Sequence, residues 1–190
     1  MKLKKILYIL SLIILITFIV FFSLNIYKNV NKDKTILLGN NIELIKENVD
    51  DTFTSSFMTS TLLLKMIESD ASKDKEGKIV KLYNLIKESK EIIINIGSVD
   101  LCNYIKDEDG LIYDEIILKR KSEIIESNIY NIVKLINNKS NNTNILVCEI
   151  SYPYTYKDDA LIKIFDELNT KINKIMDKIK EECKWLTFNK

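Results

Sequence analysis

The sequence predicts an α/β protein: a three-layer α/β/α sandwich with a mostly parallel sheet, preceded by one amino-terminal transmembrane helix. Two observations predict the α/β class, and a third predicts the transmembrane helix. Short runs of β-branched residues without a helical period, which are typical of strands buried on both faces, recur along the chain. Longer segments with apolar residues three and four apart separate them, as helices do in parallel sheets. The third observation is an uncharged stretch of nineteen residues, 6–24.

This uncharged stretch would form a helix of about 28 Å at ~1.5 Å per residue, close to the hydrocarbon thickness of a bilayer. Its end, FFSLN at 21–25, lacks the small residues of a signal-peptidase site, and the stretch has no cysteine for lipid attachment. We therefore predict an uncleaved single-pass anchor over residues 1–30 and one domain over residues 31–190. The amino terminus and three lysines precede the stretch, and three lysines follow it by residue 34, a slight positive bias that we interpret as a cytoplasmic amino terminus. The carboxyl-terminal domain is then expected outside the cytoplasm, at the cell membrane.

Composition excludes several classes of function. A net charge of +1 gives no field that would attract nucleic acid, so no nucleic-acid partner is expected. The chain has no histidine, which removes the commonest general base and the commonest metal ligand. Cys102, Cys148 and Cys183 lack CxxC spacing, and the carboxylates at 107–109 are consecutive, whereas calcium loops space them alternately. Neither a metal nor another cofactor is expected.

The elements follow from the apolar pattern. Those expected in the first half of the domain are, in order, a strand at 35–38 ending at Gly39, a helix at 42–49, a short strand within the hydroxyl-rich stretch 51–60, a helix at 62–68, a loop at 70–78 and an amphipathic helix at 79–89. Those expected in the second half are a loop around 106–110, a long helix over 117–136, a polar turn at 137–144, a strand at 145–150, a helix with apolar residues from 161 to 179 capped by Asp158 or Asp159, and an edge strand at 185–188.

Between these halves lies the stretch EIIINIGSVD at 91–100, which is predicted to be the central strand and the turn that follows it. Three isoleucines run into Asn95, Ile96 and Gly97 with no helical period. Ligands of parallel sheets gather beyond the carboxyl ends of the strands. The turn at 97–100 is therefore the place where a functional site is expected.

Four landmarks in this order resemble the SGNH/GDSL hydrolase family, in particular its small membrane-anchored members. They are ILLGNN at 36–41, SSFMTSTLLLKMI at 55–67, INIGSVDL at 94–101 and ILVCEISYP at 145–153. The resemblance covers roughly residues 35–188. It implies a flavodoxin-like sheet and an esterase or lipase ancestry.

The chain departs from that family at its reactive positions. Asn41 stands at the position of the serine nucleophile, Asn40 at the preceding aspartate and Val99 at the oxyanion asparagine. The glycine of the second block has no counterpart near Met58, and the catalytic histidine is missing. Acyl transfer needs an activated nucleophile, a base and oxyanion donors, so the resemblance implies a hydrolase-like domain that has lost its activity.

Three functions remain open on the sequence. The first is a non-catalytic domain that binds an envelope glycan, lipid or protein. Its expected ligand-binding residues are Gly39, Asn40, Asn41, Gly97, Ser98 and Asp100. The second is an active esterase for acyl esters of envelope lipids or glycans, with the candidate catalytic residues Ser98 and Asp100. The third is a structural membrane protein that docks on a partner through loop tyrosines, namely Tyr104, Tyr113, Tyr152, Tyr154 and Tyr156.

Overall fold

The chain divides into two compact units, Met1–Asp33 and Lys34–Lys190. A computed structural model describes residues 14–18, 34–40, 49–70, 72–73, 79–80, 82–107, 110–140, 143–155 and 157–182. The boundary between the units lies three residues beyond the one predicted at residue 30.

The first unit contains the predicted anchor, of which the structure describes a helical segment, α1, over residues 14–18. Its apolar side chains Ile14, Leu15, Ile16 and Phe18 are between 51% and 63% exposed. Among the described residues no helix is both long enough and apolar enough to cross a membrane. Most of the stretch 6–24 lies outside the described residues, so the anchor stays a prediction.

The second unit alternates strands and helices. Its elements are, in chain order, β1 (Lys34–Gly39), β2 (Asp51–Thr54), α2 (Ser60–Ser69), β3 (Ser72–Lys73), β4 (Ile79–Val80), α3 (Leu82–Glu88), β5 (Ser89–Asn95), α4 (Ser98–Cys102), β6 (Ile105–Asp107), β7 (Leu111–Tyr113), α5 (Glu115–Lys139), β8 (Asn144–Val147) and α6 (Asp159–Glu182).

The main sheet has four strands in the order β2-β1-β5-β8, and every neighbouring pair is parallel. Counted along the chain, this order is 2-1-3-4, which is consistent with a flavodoxin-like layout. The predicted α/β class with a parallel sheet is confirmed. The strand predicted at 91–95 is β5, which lies at the centre of the sheet between β1 and β8.

The core contains one face of this sheet. Phe53, Leu38, Ile94 and Val147 stand side by side on the four strands and belong to one buried cluster. The same cluster contains apolar side chains of α2, α3, α5 and α6. Leu37, on the other face of β1, is also fully buried. Most of the helix expected at 42–49 lies outside the described residues, so the second helical layer stays a prediction.

Two of the expected boundaries were wrong for local reasons. The residues Ile79 and Val80 pair antiparallel with Ser72 and Lys73, so the helix predicted at 79–89 begins only at Leu82. Of the loop predicted around 106–110, residues 106 and 107 belong to β6, which pairs antiparallel with β7. A short helix, α4, follows Gly97 where only a turn was expected.

The long helices begin where aspartates cap them. Asp114 Oδ1 accepts hydrogen bonds from the N–H groups of Ile116 and Ile117, so α5 starts at Glu115 and runs on to Lys139, into the predicted polar turn. Asp158 Oδ1 accepts from Leu161 N at 2.9 Å, which confirms the predicted cap of α6. The edge strand expected at 185–188 lies outside the described residues.

Strand β8 ends at Val147, three residues earlier than predicted. Cys148 N still donates to Ile94 O at 2.8 Å, but Ile150 has left the ladder. The side-chain amide of Asn169 on α6 takes both backbone groups of Ile150: Oδ1 accepts from its N–H and Nδ2 donates to its carbonyl, each at 2.9 Å. The amide of Asn169 thus makes the two hydrogen bonds to Ile150 that a neighbouring strand would otherwise make.

Candidate functional site

The carboxyl ends of β1 and β5 are joined by backbone contacts at Gly39 and Asn95. Gly39 has a φ of +112°, and a Cβ at this position would lie 2.1 Å from Asn95 O. Asn40 N donates to Asn95 O at 2.6 Å, and Asn95 Nδ2 donates back to Asn40 O at 3.1 Å. Glycine is required at position 39 because any other side chain would break this contact.

Asn40 connects this junction to the turn after β5. Its Nδ2 donates to Ser98 Oγ at 2.9 Å, across 58 residues of sequence. The residue is only 7% exposed, and no donor among the described residues reaches its Oδ1. An unpaired buried acceptor is uncommon in folded proteins. Asn41, at the nucleophile position of the resemblance, lies outside the described residues.

Gly97 allows the turn after β5 to pack closely against Ile150 and Ile125. It also has a φ of +112° and precedes the first residue of α4. A Cβ here would lie 2.5 Å from Ile150 Cδ1 and 3.2 Å from Ile125 Cγ2. The glycine thus lets the turn pack against α5 and against the chain that leaves β8.

Asp100 points to α2 instead of Ser98. Its Oδ2 accepts from Ser60 N and its Oδ1 from Ser60 Oγ, both at 2.8 Å. Asn128 Nδ2 on α5 donates to Ser60 Oγ at 2.9 Å and to Thr61 Oγ1 at 3.0 Å. Burial raises the pKa of the Asp100 carboxyl above its ordinary value, while the hydrogen bonds from Ser60 lower it by less.

The two candidate catalytic residues are therefore engaged by different partners. Ser98 Oγ is bound to an amide, and both carboxylate oxygens of Asp100 are bound to Ser60. A serine nucleophile needs a base within hydrogen-bonding distance of its hydroxyl, and among the described residues no carboxylate binds Ser98 Oγ. Of the six expected ligand-binding residues, the structure brings Gly39, Asn40 and Ser98 together and places Gly97 beside them.

On its α2 side, Asp100 lines a pocket of about 240 Å³. Thr59 and Thr61 at the start of α2 form one wall, and Lys121 on α5 forms another with Ile124. Asn103 and Tyr104, which follow α4, complete the lining, and Lys121 Nζ lies 4.4 Å from the centre of the Tyr104 ring.

Except for Asp100, the sequence did not mark these pocket residues as ligand-binding, because they come from separate elements with no shared spacing. In the part of the chain that the structure describes, no group of three or more cysteines and carboxylates could hold a metal ion.

Most of the loop tyrosines are engaged inside the domain. Tyr113 OH donates to Asp158 Oδ1 at 2.8 Å, and partial burial together with this bond raises the Tyr113 pKa to about 12. The Tyr152 ring packs edge-on against Tyr154 and Phe165, with ring centres 5.5 and 5.6 Å apart. Tyr104 is 43% exposed, whereas Tyr156 lies outside the described residues. Of the described tyrosines of this group, Tyr104 offers the most surface to a partner.

No protein-family model matches the chain, and no curated protein sequence matches it. The resemblance to SGNH/GDSL hydrolases thus rests on the four sequence landmarks. Three of them lie at the end of β1, at the end of β5 and at the start of α2.

Proposed function

We propose that this chain is a membrane-anchored, SGNH/GDSL-like protein without esterase activity, whose α/β/α domain binds a ligand at the cell envelope. One observation carries the proposal. The two residues that would have to replace the lost catalytic groups, Ser98 and Asp100, are held by Asn40 and by Ser60 and are not bound to each other.

The chemistry of ester hydrolysis explains why these partners of Ser98 and Asp100 argue against catalysis. A serine attacks an ester only when a neighbouring base takes its proton, and the oxyanion that forms needs donors in place. The amide bound to Ser98 accepts no proton at neutral pH. Asn40 Nδ2 donates to Ser98 Oγ and so occupies one lone pair that an attacking serine would use.

Membrane attachment is proposed from the nineteen uncharged residues at 6–24 and the poor cleavage site that follows them. The slight excess of positive charge before this stretch, which comes from the amino terminus, supports a domain that lies outside the cytoplasm. Its binding partner is then a component of the envelope, of which a glycan fits the polar turn and the neighbouring pocket better than a lipid chain does.

A serine-reactive fluorophosphonate tests the loss of catalysis. The full chain, purified in detergent micelles, is incubated with the probe and analysed by intact-protein mass spectrometry, with an active SGNH esterase in the same micelles as the positive control. We expect labelling of the control alone. Labelling of this chain that disappears in Ser98→Ala would contradict the proposal and support an esterase that uses Ser98.

A further inference from the structure

The pocket beside Asp100 contains two opposite charges that form no salt bridge with each other. Asp100 and Lys121 both line it, yet in the described part of the chain no carboxylate lies within 4.0 Å of Lys121 Nζ. The ammonium is instead held over the Tyr104 ring. The Asp100 carboxylate accepts two hydrogen bonds from Ser60 and one from its own backbone N–H, which leaves one of its four lone pairs for a further donor.

This charge arrangement selects against ions. An anion in the pocket would lie near the Asp100 carboxylate, and a cation would lie near the Lys121 ammonium, so either would meet a like charge at short range. A neutral group that donates at one end and accepts at the other matches both walls. The secondary amide is such a group: its N–H suits Asp100 and its carbonyl suits Lys121.

The remaining lining suits a hydroxylated ligand with a small apolar substituent. Thr61 Oγ1 accepts from Asn128 Nδ2, and its own proton has no acceptor among the described residues. Asn103 adds an exposed amide at the rim. Ile124, at 46% exposure, and Tyr104 give apolar surface beside these polar groups.

We propose that the pocket between α2, α4 and α5 binds a single N-acylated amino-sugar residue. The amide of this residue lies between Asp100 and Lys121, its acyl methyl group contacts Ile124, and its hydroxyls bond to Thr61 and Asn103. The pocket is smaller than the ~300–1,000 Å³ of sites for drug-sized ligands, which fits one sugar residue. The inference rests on the binding role proposed above and gives that role a ligand class.

Saturation-transfer NMR on the full chain in detergent micelles tests this site. The probes are N-acetylglucosamine, glucose, which lacks the amide, and glucosamine, which carries an ammonium in its place. We expect saturation transfer to N-acetylglucosamine, strongest at its acetyl methyl group, and little to the other two sugars. Equal transfer to all three would overturn the proposed role of the amide, and no transfer to any would overturn the site.

Two variants of α5 separate the pocket from general effects. Lys121→Met removes the ammonium and keeps the aliphatic chain. It should weaken N-acetylglucosamine binding about tenfold or more, because a hydrogen bond to a charged group contributes about 1.5–3 kcal/mol. Lys134→Met is the matched control, since Lys134 Nζ also lies over a tyrosine ring, 5.5 Å from that of Tyr130, but outside the pocket. Equal losses in both variants would contradict the site.

The outcomes for catalysis and for sugar binding are independent. Fluorophosphonate labelling at Ser98 would refute the loss of esterase activity whether or not the sugar binds. Absence of sugar binding in an unlabelled chain would refute the ligand class alone.

Discussion

Asp100 and Ser60 are joined by two hydrogen bonds across 40 residues of sequence, one from the backbone N–H and one from the hydroxyl, both 2.8 Å long. Ser60 is the first residue of α2, so a carboxylate from the turn after β5 binds the start of this helix. The pair fixes α4 against α2, and Asp100 also lines the pocket between α2, α4 and α5. An aspartate that a catalytic scheme would use as a base is thus used to hold two helices together.

Removing this carboxylate should destabilise the domain. We expect Asp100→Ala to lower the free energy of unfolding by about 2–4 kcal/mol, because each buried polar group left without a partner costs about 1–3 kcal/mol. Urea unfolding followed by circular dichroism measures the change. Asp166→Ala, at an exposed position of α6, is the control and should stay within about 0.5 kcal/mol of wild type. Similar effects of the two substitutions would show that the bonds to Ser60 do not stabilise the domain.

The raised pKa of Asp100 predicts a dependence of stability on pH. The unfolded chain releases this proton near its ordinary pKa of 3.8, whereas the folded chain keeps it to a higher pH. Between these two values the folded state binds more protons, so the free energy of unfolding contributed by Asp100 falls as pH rises. Asp100→Asn cannot titrate. The difference between wild type and Asp100→Asn should therefore shrink as pH rises above 3.8 and become constant above the folded pKa.

If the difference in unfolding free energy between wild type and Asp100→Asn instead increased with pH, the hydrogen bonds from Ser60 would outweigh burial and lower the pKa of Asp100 in the folded state. Urea unfolding of both proteins, repeated across the pH range, shows whether this difference decreases or increases with pH.

Gly39 should tolerate substitution far less than Gly110, although both have positive φ. A Cβ at Gly39 would lie 2.1 Å from Asn95 O, whereas at Gly110 nothing lies within 4 Å. We expect Gly39→Ala to cost more than about 4 kcal/mol or to prevent folding, and Gly110→Ala to cost about 1–3 kcal/mol from backbone strain alone. Comparable unfolding midpoints for the two variants would contradict the close contact of β1 with β5.

Both polar atoms of the Asn169 side chain, Oδ1 and Nδ2, should contribute to the stability of the domain. Asn169→Asp keeps an acceptor for Ile150 N but places a carboxylate oxygen against Ile150 O, so we expect it to destabilise at least as much as Asn169→Ala. Each should lower the free energy of unfolding by about 2–3 kcal/mol, since two bonds to buried backbone groups are lost or reversed. Asn131→Ala, at an exposed position of α5, serves as control. Full stability of Asn169→Asp would show that the bond to Ile150 O contributes little.

The central strand and the long helices could be predicted because their signals are local. Three isoleucines without helical period mark β5, and apolar residues at helical spacing mark α5 and α6. The cap of α6 at Asp158 was likewise predictable, since a capping side chain bonds to the backbone two or three residues on.

The site could be predicted only in part because its contacts are distant in sequence. Ser98 lies two residues from Asp100, which suggests a pair, yet Ser98 binds Asn40 and Asp100 binds Ser60. Helix α4 has five residues, too few for an apolar period. Lys121 reaches the pocket only through the packing of α5 beside α2.

Ester hydrolysis by the full chain in detergent micelles tests the central claim most directly. Wild type, Ser98→Ala and Asp100→Asn are assayed with short-chain nitrophenyl esters and with an acetylated glycan, beside an active esterase of the SGNH type. We expect release of nitrophenol and acetate by the three forms to equal the rate without protein. Turnover by wild type that is lost in Ser98→Ala would contradict the proposed loss of activity and establish a catalytic serine after the central strand.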